Sequence, residues 1–246
     1  MDTTEIVIVT ATFFLAGIVK GVTGMGLPTV AMGVLGALIS PLSAAALLLV
    51  PSFVTNLWQL LAGPDFRAVL RRFWPMMAML VIGTVLGAGL LAGGDTARST
   101  MVLGLTLAAY AVYSLCAGAR HVPPSWQPVA SPLVGLASGI VTGATGVFVI
   151  PAVPYLQSLG LGKDALVQAL GLSFTVSTIA LGLALGLHGA LPAESLLPSL
   201  LAVAPALAGM GTGQAIRRHI HPATFRRCFL ACLLLLGCEM ALRPFL

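Results

Sequence analysis

Lys20 is the only lysine or arginine set well inside an apolar run of this chain, and its neighbours are residues that a membrane helix rarely tolerates. The stretch from Gly17 to Pro28 holds four glycines and that proline. Gly21, Gly24 and Gly26 disfavour continuation of a helix, whereas Pro28 suits the first turn of a new one. Amide N–H groups at such a restart lack partners, and at hydrocarbon depth they need one. An anion is the natural partner, because aligned amides and the positive helix end attract negative charge and glycine admits a ligand to the backbone. Thr23 adds a hydroxyl donor. Lys20 adds a cation, whose cost at the midplane of about 2.5–3.5 kcal/mol an anionic ligand offsets; the competing reading is that Lys20 snorkels to the membrane surface.

The same pattern occurs twice. Gly17, Ile18, Val19, Gly21, Thr23 and Gly24 return as Gly139, Ile140, Val141, Gly143, Thr145 and Gly146, each 122 positions later, with Pro28 and Pro151 following. Thr142 stands where Lys20 would be. Ser52-Phe53 returns as Ser173-Phe174, and Gly83 and Gly87 return as Gly209 and Gly213, so the offset drifts only between 121 and 126. This order marks an internal duplication: a first repeat at 5–117, a polar linker at 118–131 and a second repeat at 132–246. The second break would aim another positive helix end at the same depth from the opposite side. Asn56 and Ser173, polar residues beside the repeated Ser-Phe pairs, are the best candidates to line the site. Gln59, Gln168, Thr175, Ser177 and Thr178 read as helix-to-helix hydrogen-bonding groups. The candidate anion site is thus Lys20, Gly21, Thr23, Gly24, Gly26, Asn56, Gly143, Thr145, Gly146 and Ser173.

The elements that carry these residues must cross a membrane. Hydrophobic residues make up 58% of the chain and charged ones 8%, values that a water-soluble surface does not allow. Apolar runs fall at 6–22, 27–39, 42–62, 73–92, 99–117, 132–145, 147–160, 165–187, 195–215 and 227–246. Those at 27–39, 132–145 and 147–160 are short, and the first is cut at Gly21. Helices of about 13 residues rise only about 20 Å and do not span a core of about 30 Å, which predicts broken or re-entrant helices. The fold expected is an all-α polytopic membrane protein of two inverted repeats, each a broken helix pair followed by three spans. The apolar first segment lacks a cleavage site and reads as a retained span.

Basic residues orient the chain. Arg67, Arg71 and Arg72, then Arg120, Lys163, and finally Arg217, Arg218, Arg226 and Arg227 mark alternate breaks. They place those breaks in the cytoplasm and the N-terminus outside. An odd number of crossings per half then inverts the second repeat.

Other chemistry lacks its residues. Cys116, Cys228, Cys232 and Cys238 read as small buried hydrophobes rather than a metal or redox set. His188, His219 and His221 lie at span edges and His121 in the linker, so no nucleophile-base or metal cluster is available to an intramembrane enzyme. Glu239 is the one obvious acidic candidate for a proton site, and it has Arg243 one turn away.

The segments from Gly17 to Gly36, from Gly139 to Leu161 and from Ala165 to Ser177 resemble those of the sulfite exporter TauE/SafE family of small permeases built from two related halves. The resemblance covers the full length. It implies secondary transport of sulfur-containing anions such as sulfite and organosulfonates, usually as export, from a bacterial inner membrane and coupled to an ion. An anion channel of the same architecture, or an uptake permease for another small organic anion, is the alternative. The expected partners are a small anionic substrate and the lipid bilayer, with a coupling proton or sodium ion and a homo-oligomeric state left open. No cofactor and no nucleic acid is expected.

Overall fold

The computed structural model describes residues 3–116, 121–217, 219 and 222–243. Arg120, Arg218 and His221, used above in the charge and histidine arguments, lie outside the described residues. Every element among the described residues is helical: α1 Thr3–Thr23, α2 Leu27–Leu38, α3 Pro41–Leu61, α4 Phe66–Ala92, α5 Thr96–Cys116, α6 Gln127–Thr145, α7 Ala152–Ser158, α8 Lys163–Leu187, α9 Leu196–Leu201, α10 Val203–Ile216 and α11 Pro222–Leu242. With α9 and α10 as one bent span, both halves run in the same order: a pair of helices joined at a glycine break, then three long ones. Among the described residues, seven helices have the length and hydropathy to cross a membrane.

Local chemistry sets the boundaries. Ser40 caps α3 by accepting from the Ser43 N–H, with Pro41 in the first turn, and Asp65 caps α4 by accepting from the Ala68 N–H. Pro51 inside α3 has no N–H for the Leu47 carbonyl four residues back. Ser199 of α9 supplies the missing donor, its hydroxyl reaching Leu47 O at 2.8 Å while accepting from the Val50 N–H at 3.2 Å. A second polar clamp joins α3 to α8: Gln168 donates to Leu60 O and accepts from the Asp65 N–H, and Gln59 donates to Val167 O. Gln59 and Gln168 therefore act as the interhelical groups expected of them.

Several helix pairs are so close that only glycine fits between them, and two of these pairs are related by the repeat. A methyl group added at Gly17 or Gly21 of α1 would lie 2.3 Å from Ala206 O or Met210 O of α10. At Gly139 or Gly143 of α6 it would lie 2.1 Å from Leu80 O or 2.2 Å from Thr84 O of α4. The reverse contacts match: Gly209 meets Phe14 O and Gly213 meets Ile18 O, as Gly83 meets Leu136 O and Gly87 meets Ile140 O. The first helix of each half thus packs on the glycine-bearing helix of the other, through residues related by the offsets of 122 and 126 seen in the sequence. Small residues are what permit such approach in lipid, where packing rather than water exclusion drives association.

Three expectations need correction. The segment at 132–145 is not short: α6 starts at Gln127 and runs 19 residues, about 29 Å, because Pro128 sits in the first turn and Pro132 is accommodated inside the helix. The first segment is not cut at Gly21, since α1 continues to Thr23, whereas the run at 147–160 is short as expected and contains only the seven-residue α7. The four cysteines are exposed rather than buried. They lie on outward faces with Leu86, Leu183, Leu187 and Leu235, an apolar exterior that suits lipid rather than water.

The basic breaks gather at one end. Arg72 donates to Gln127 at the start of α6, and Gly63, Asp164 and Arg217 surround one cavity, so the ends of α3, α8 and α10 meet there. Exposed Trp58, Trp74 and Trp126 lie on the helices of that end, as an interfacial aromatic belt would. At the opposite end Gly89 approaches His188, and Asp95 pairs with Arg98.

Candidate functional site

The site is built where the end of α1 meets α3. Lys20 lies one turn before the end of α1 and is buried, 3% exposed, so it points inward and does not snorkel. Its ammonium donates to Thr55 Oγ1 at 3.0 Å and to Asn56 Oδ1. Thr55 donates its own proton to Pro51 O at 2.8 Å, leaving its lone pairs for Lys20. No carboxylate lies within ion-pair reach of Lys20 among the described residues. A buried cation held only by neutral acceptors is an incomplete arrangement, since such charges are ordinarily paired.

The donors around it are incomplete too. An ammonium has no acceptor, so it must face the oxygen of Asn56, which turns the amide N–H₂ away. That nitrogen, Asn56 Nδ2, is buried and has no partner. Ser52, one turn earlier on α3, has an unpartnered buried hydroxyl, as do Ser173 and Ser177 on α8. Helices α3 and α8 pack closely enough that Gly171 touches the backbone of Leu60.

A cavity of about 540 Å³ leads to this point. Buried Lys20 and Thr55, with Gly24, form its inner part, and exposed Asp164, Gln214 and Arg217 form its mouth at the basic end. Its size is within the range of small-molecule pockets.

The two glycine breaks have one geometry. Thr23 donates to Val19 O and accepts from the Met25 N–H, while Gly24 N–H closes on Lys20 O. Thr145 donates to Val141 O and accepts from the Val147 N–H, while Gly146 N–H closes on Thr142 O. Gly24, Gly26 and Gly146 have φ of 80°, 104° and 70°, the left-handed region that favours glycine.

The ten residues singled out in the sequence thus take different places. Lys20 and Gly24 line the cavity, and Asn56, fully buried, meets the Lys20 ammonium without lining it. Gly21 and Gly143 serve helix packing, and Thr23 and Thr145 spend their hydroxyl protons on the breaks. Gly26 faces Val19, Gly146 faces Met32, and Ser173 is buried on α8. The start of α2 is fully covered, since Leu27, Pro28 and Thr29 are all buried, so the cavity opens on Lys20 rather than on the α2 amides. Thr55, Ser52, Gln214 and Arg217 were not among the ten; Ser52 was visible only as part of the repeated Ser-Phe pair, Thr55 as a neighbour of Asn56, Arg217 as a member of a basic loop, and Gln214 gave no signal. Glu239 accepts from Arg243 at 2.6 Å on the outer face of α11, and Arg243 also caps α2 through Ala37 O.

Fold and site describe a polytopic helical membrane protein with a donor-rich polar site reached from one end. Residues 9–240 match the model of the family described as Sulfite exporter TauE/SafE, and the chain belongs to that family. It is an integral membrane protein of a transporter family. No curated protein and no solved structure matches it.

Proposed function

We propose that the protein is a secondary transporter of small sulfur-containing anions, sulfite or organosulfonates, with Lys20 and Asn56 as the core of the substrate site. The observation that carries this reading is the buried Asn56 Nδ2, unpartnered beside a buried cation that no carboxylate neutralises. Lys20 has a third N–H left, Asn56 has two, and Ser52 and Ser173 have one each within the same pair of packed helices or beside it. An oxyanion with several acceptor oxygens satisfies such a set, and charge-assisted bonds to it are the strong ones. The Thr142 substitution at the Lys20 position makes the site asymmetric, with one cation for one anionic charge.

The matched glycine contacts of α1 with α10 and of α6 with α4 support the duplication, and the alternation of basic breaks supports its inversion. In this reading the halves move against each other and expose Lys20 alternately, and the present cavity faces the cytoplasm. N-terminus outside, export as direction and an ion as coupling partner follow from the resemblance and from the basic loops. The protein performs no covalent chemistry in this account. Saturable counterflow of a labelled sulfonate in proteoliposomes is the test that separates a carrier from an anion channel.

A further inference from the structure

We propose a second anion-binding site between Arg217 and Arg226, for an oxyanion that carries an apolar body. It occupies a separate cavity of about 280 Å³ on the other side of the first glycine break from Lys20. Thr23 and Met25 of the break form one wall, Tyr110 of α5 and Gln157 of α7 another, and Arg217 and Arg226 the charged rim. No acidic residue lines it, and neither arginine has an ion-pair partner among the described residues. Two guanidinium groups left unneutralised around one concavity are suited to a sulfonate or phosphate, which the planar donor fork binds in bidentate fashion. The Gln157 amide adds a neutral donor, while the Tyr110 hydroxyl donates to Met25 Sδ at 4.0 Å.

The rest of the lining is apolar: Val22, Met25, Phe229 and Leu230. Sulfite or sulfate would leave those side chains uncovered, whereas an alkyl or aryl group on the anion would cover them. The volume equals that of about nine waters at roughly 30 Å³ each, enough for a short alkanesulfonate or the glycerophosphate end of a lipid. Arg217 also borders the Lys20 cavity, so the two sites share one cation at the basic end. The second site stands whether or not Lys20 holds a transported anion.

The test is calorimetric titration of the full chain in non-ionic detergent with hexanesulfonate and with methanesulfonate. The Lys20→Gln background removes the buried cation at the inner end of the other cavity. Hexanesulfonate is expected to bind that variant, with affinity rising on each methylene added from methanesulfonate. Adding Arg226→Gln weakens binding tenfold or more, and Phe229→Ala flattens the dependence on chain length while the short sulfonate still binds. Gln157→Leu gives an independent loss should Arg226→Gln fail to fold. In lipid nanodiscs, competition by phosphatidylglycerol but not phosphatidylcholine identifies a lipid headgroup as the occupant, and its absence identifies a soluble anion; both uphold the site. Hexanesulfonate binding that is absent in Lys20→Gln, or unaltered by both Arg226→Gln and Gln157→Leu, overturns it. Loss of sulfite binding in Lys20→Gln with retained hexanesulfonate binding keeps the two proposals distinct.

Discussion

The ammonium of Lys20 donates to the side-chain oxygen of Asn56, a residue 36 positions away on another helix, and so turns the Asn56 amide nitrogen into a buried donor without an acceptor. A site that held its own counter-charge would need nothing further. Under the proposed function, an anion completes this one.

Removing only the charge is the cleanest perturbation. Lys20→Gln keeps an N–H donor for Asn56 Oδ1 while deleting a desolvated, unpaired cation. Thermal unfolding without anion should occur at the wild-type temperature or higher, because an uncompensated buried charge is costly. The protective shift that sulfite gives the wild type should disappear. Charge-assisted bonds contribute about 1.5–3 kcal/mol, so affinity should fall by about tenfold to a hundredfold.

Asn56→Asp should have the opposite balance of effects. The carboxylate pairs with Lys20 and removes the two free amide donors, so anion binding is lost while the ligand-free protein unfolds at a higher temperature. Titration calorimetry and a melting curve on the same sample check both halves of the expectation.

Gly21→Ala and Gly24→Ala separate packing from loop shape. The first drives a methyl to 2.3 Å from Met210 O in a rigid helix pair, and overpacking of that kind costs about 1–3 kcal/mol or more. The second meets nothing within 4 Å, and its cost is the left-handed φ of 80°, about 1–2 kcal/mol. Gly21→Ala should lower the unfolding temperature more, and Gly24→Ala should act mainly on anion affinity.

Ser199→Ala removes the donor that stands in for Pro51. It leaves Leu47 O unsatisfied in a buried position, a loss of about 1–3 kcal/mol. A lower unfolding temperature with unchanged anion affinity is the expected result.

The backbone breaks were readable because glycine and proline act locally: Gly24, Gly26 and Pro28 fall at the junction of α1 and α2 as their conformational preferences require. The start of α6 was not, because in a chain Pro128 reads as a linker residue and Pro132 as the start of a segment, and they become first-turn and interior residues only once a helix is built around them. The glycine pairs were visible as repeats, but that α1 would pack on α10 and α6 on α4 is a property of topology. Lys20 and Asn56 were each conspicuous as polar groups in apolar runs. Their meeting depends on how α1 and α3 pack, and no local pattern encodes it. The burial of the α2 start likewise depends on its neighbours, which shifted the site from the helix-end amides to the Lys20 side chain.

Counterflow in proteoliposomes tests the central claim most directly. Liposomes loaded with unlabelled methanesulfonate, diluted into labelled methanesulfonate, should accumulate label transiently and saturably with wild-type protein. Excess sulfite should compete, and Lys20→Gln should abolish the signal while inserting normally. Flux that never saturates, flux that Lys20→Gln leaves unchanged, or no flux of any sulfur anion would contradict the account.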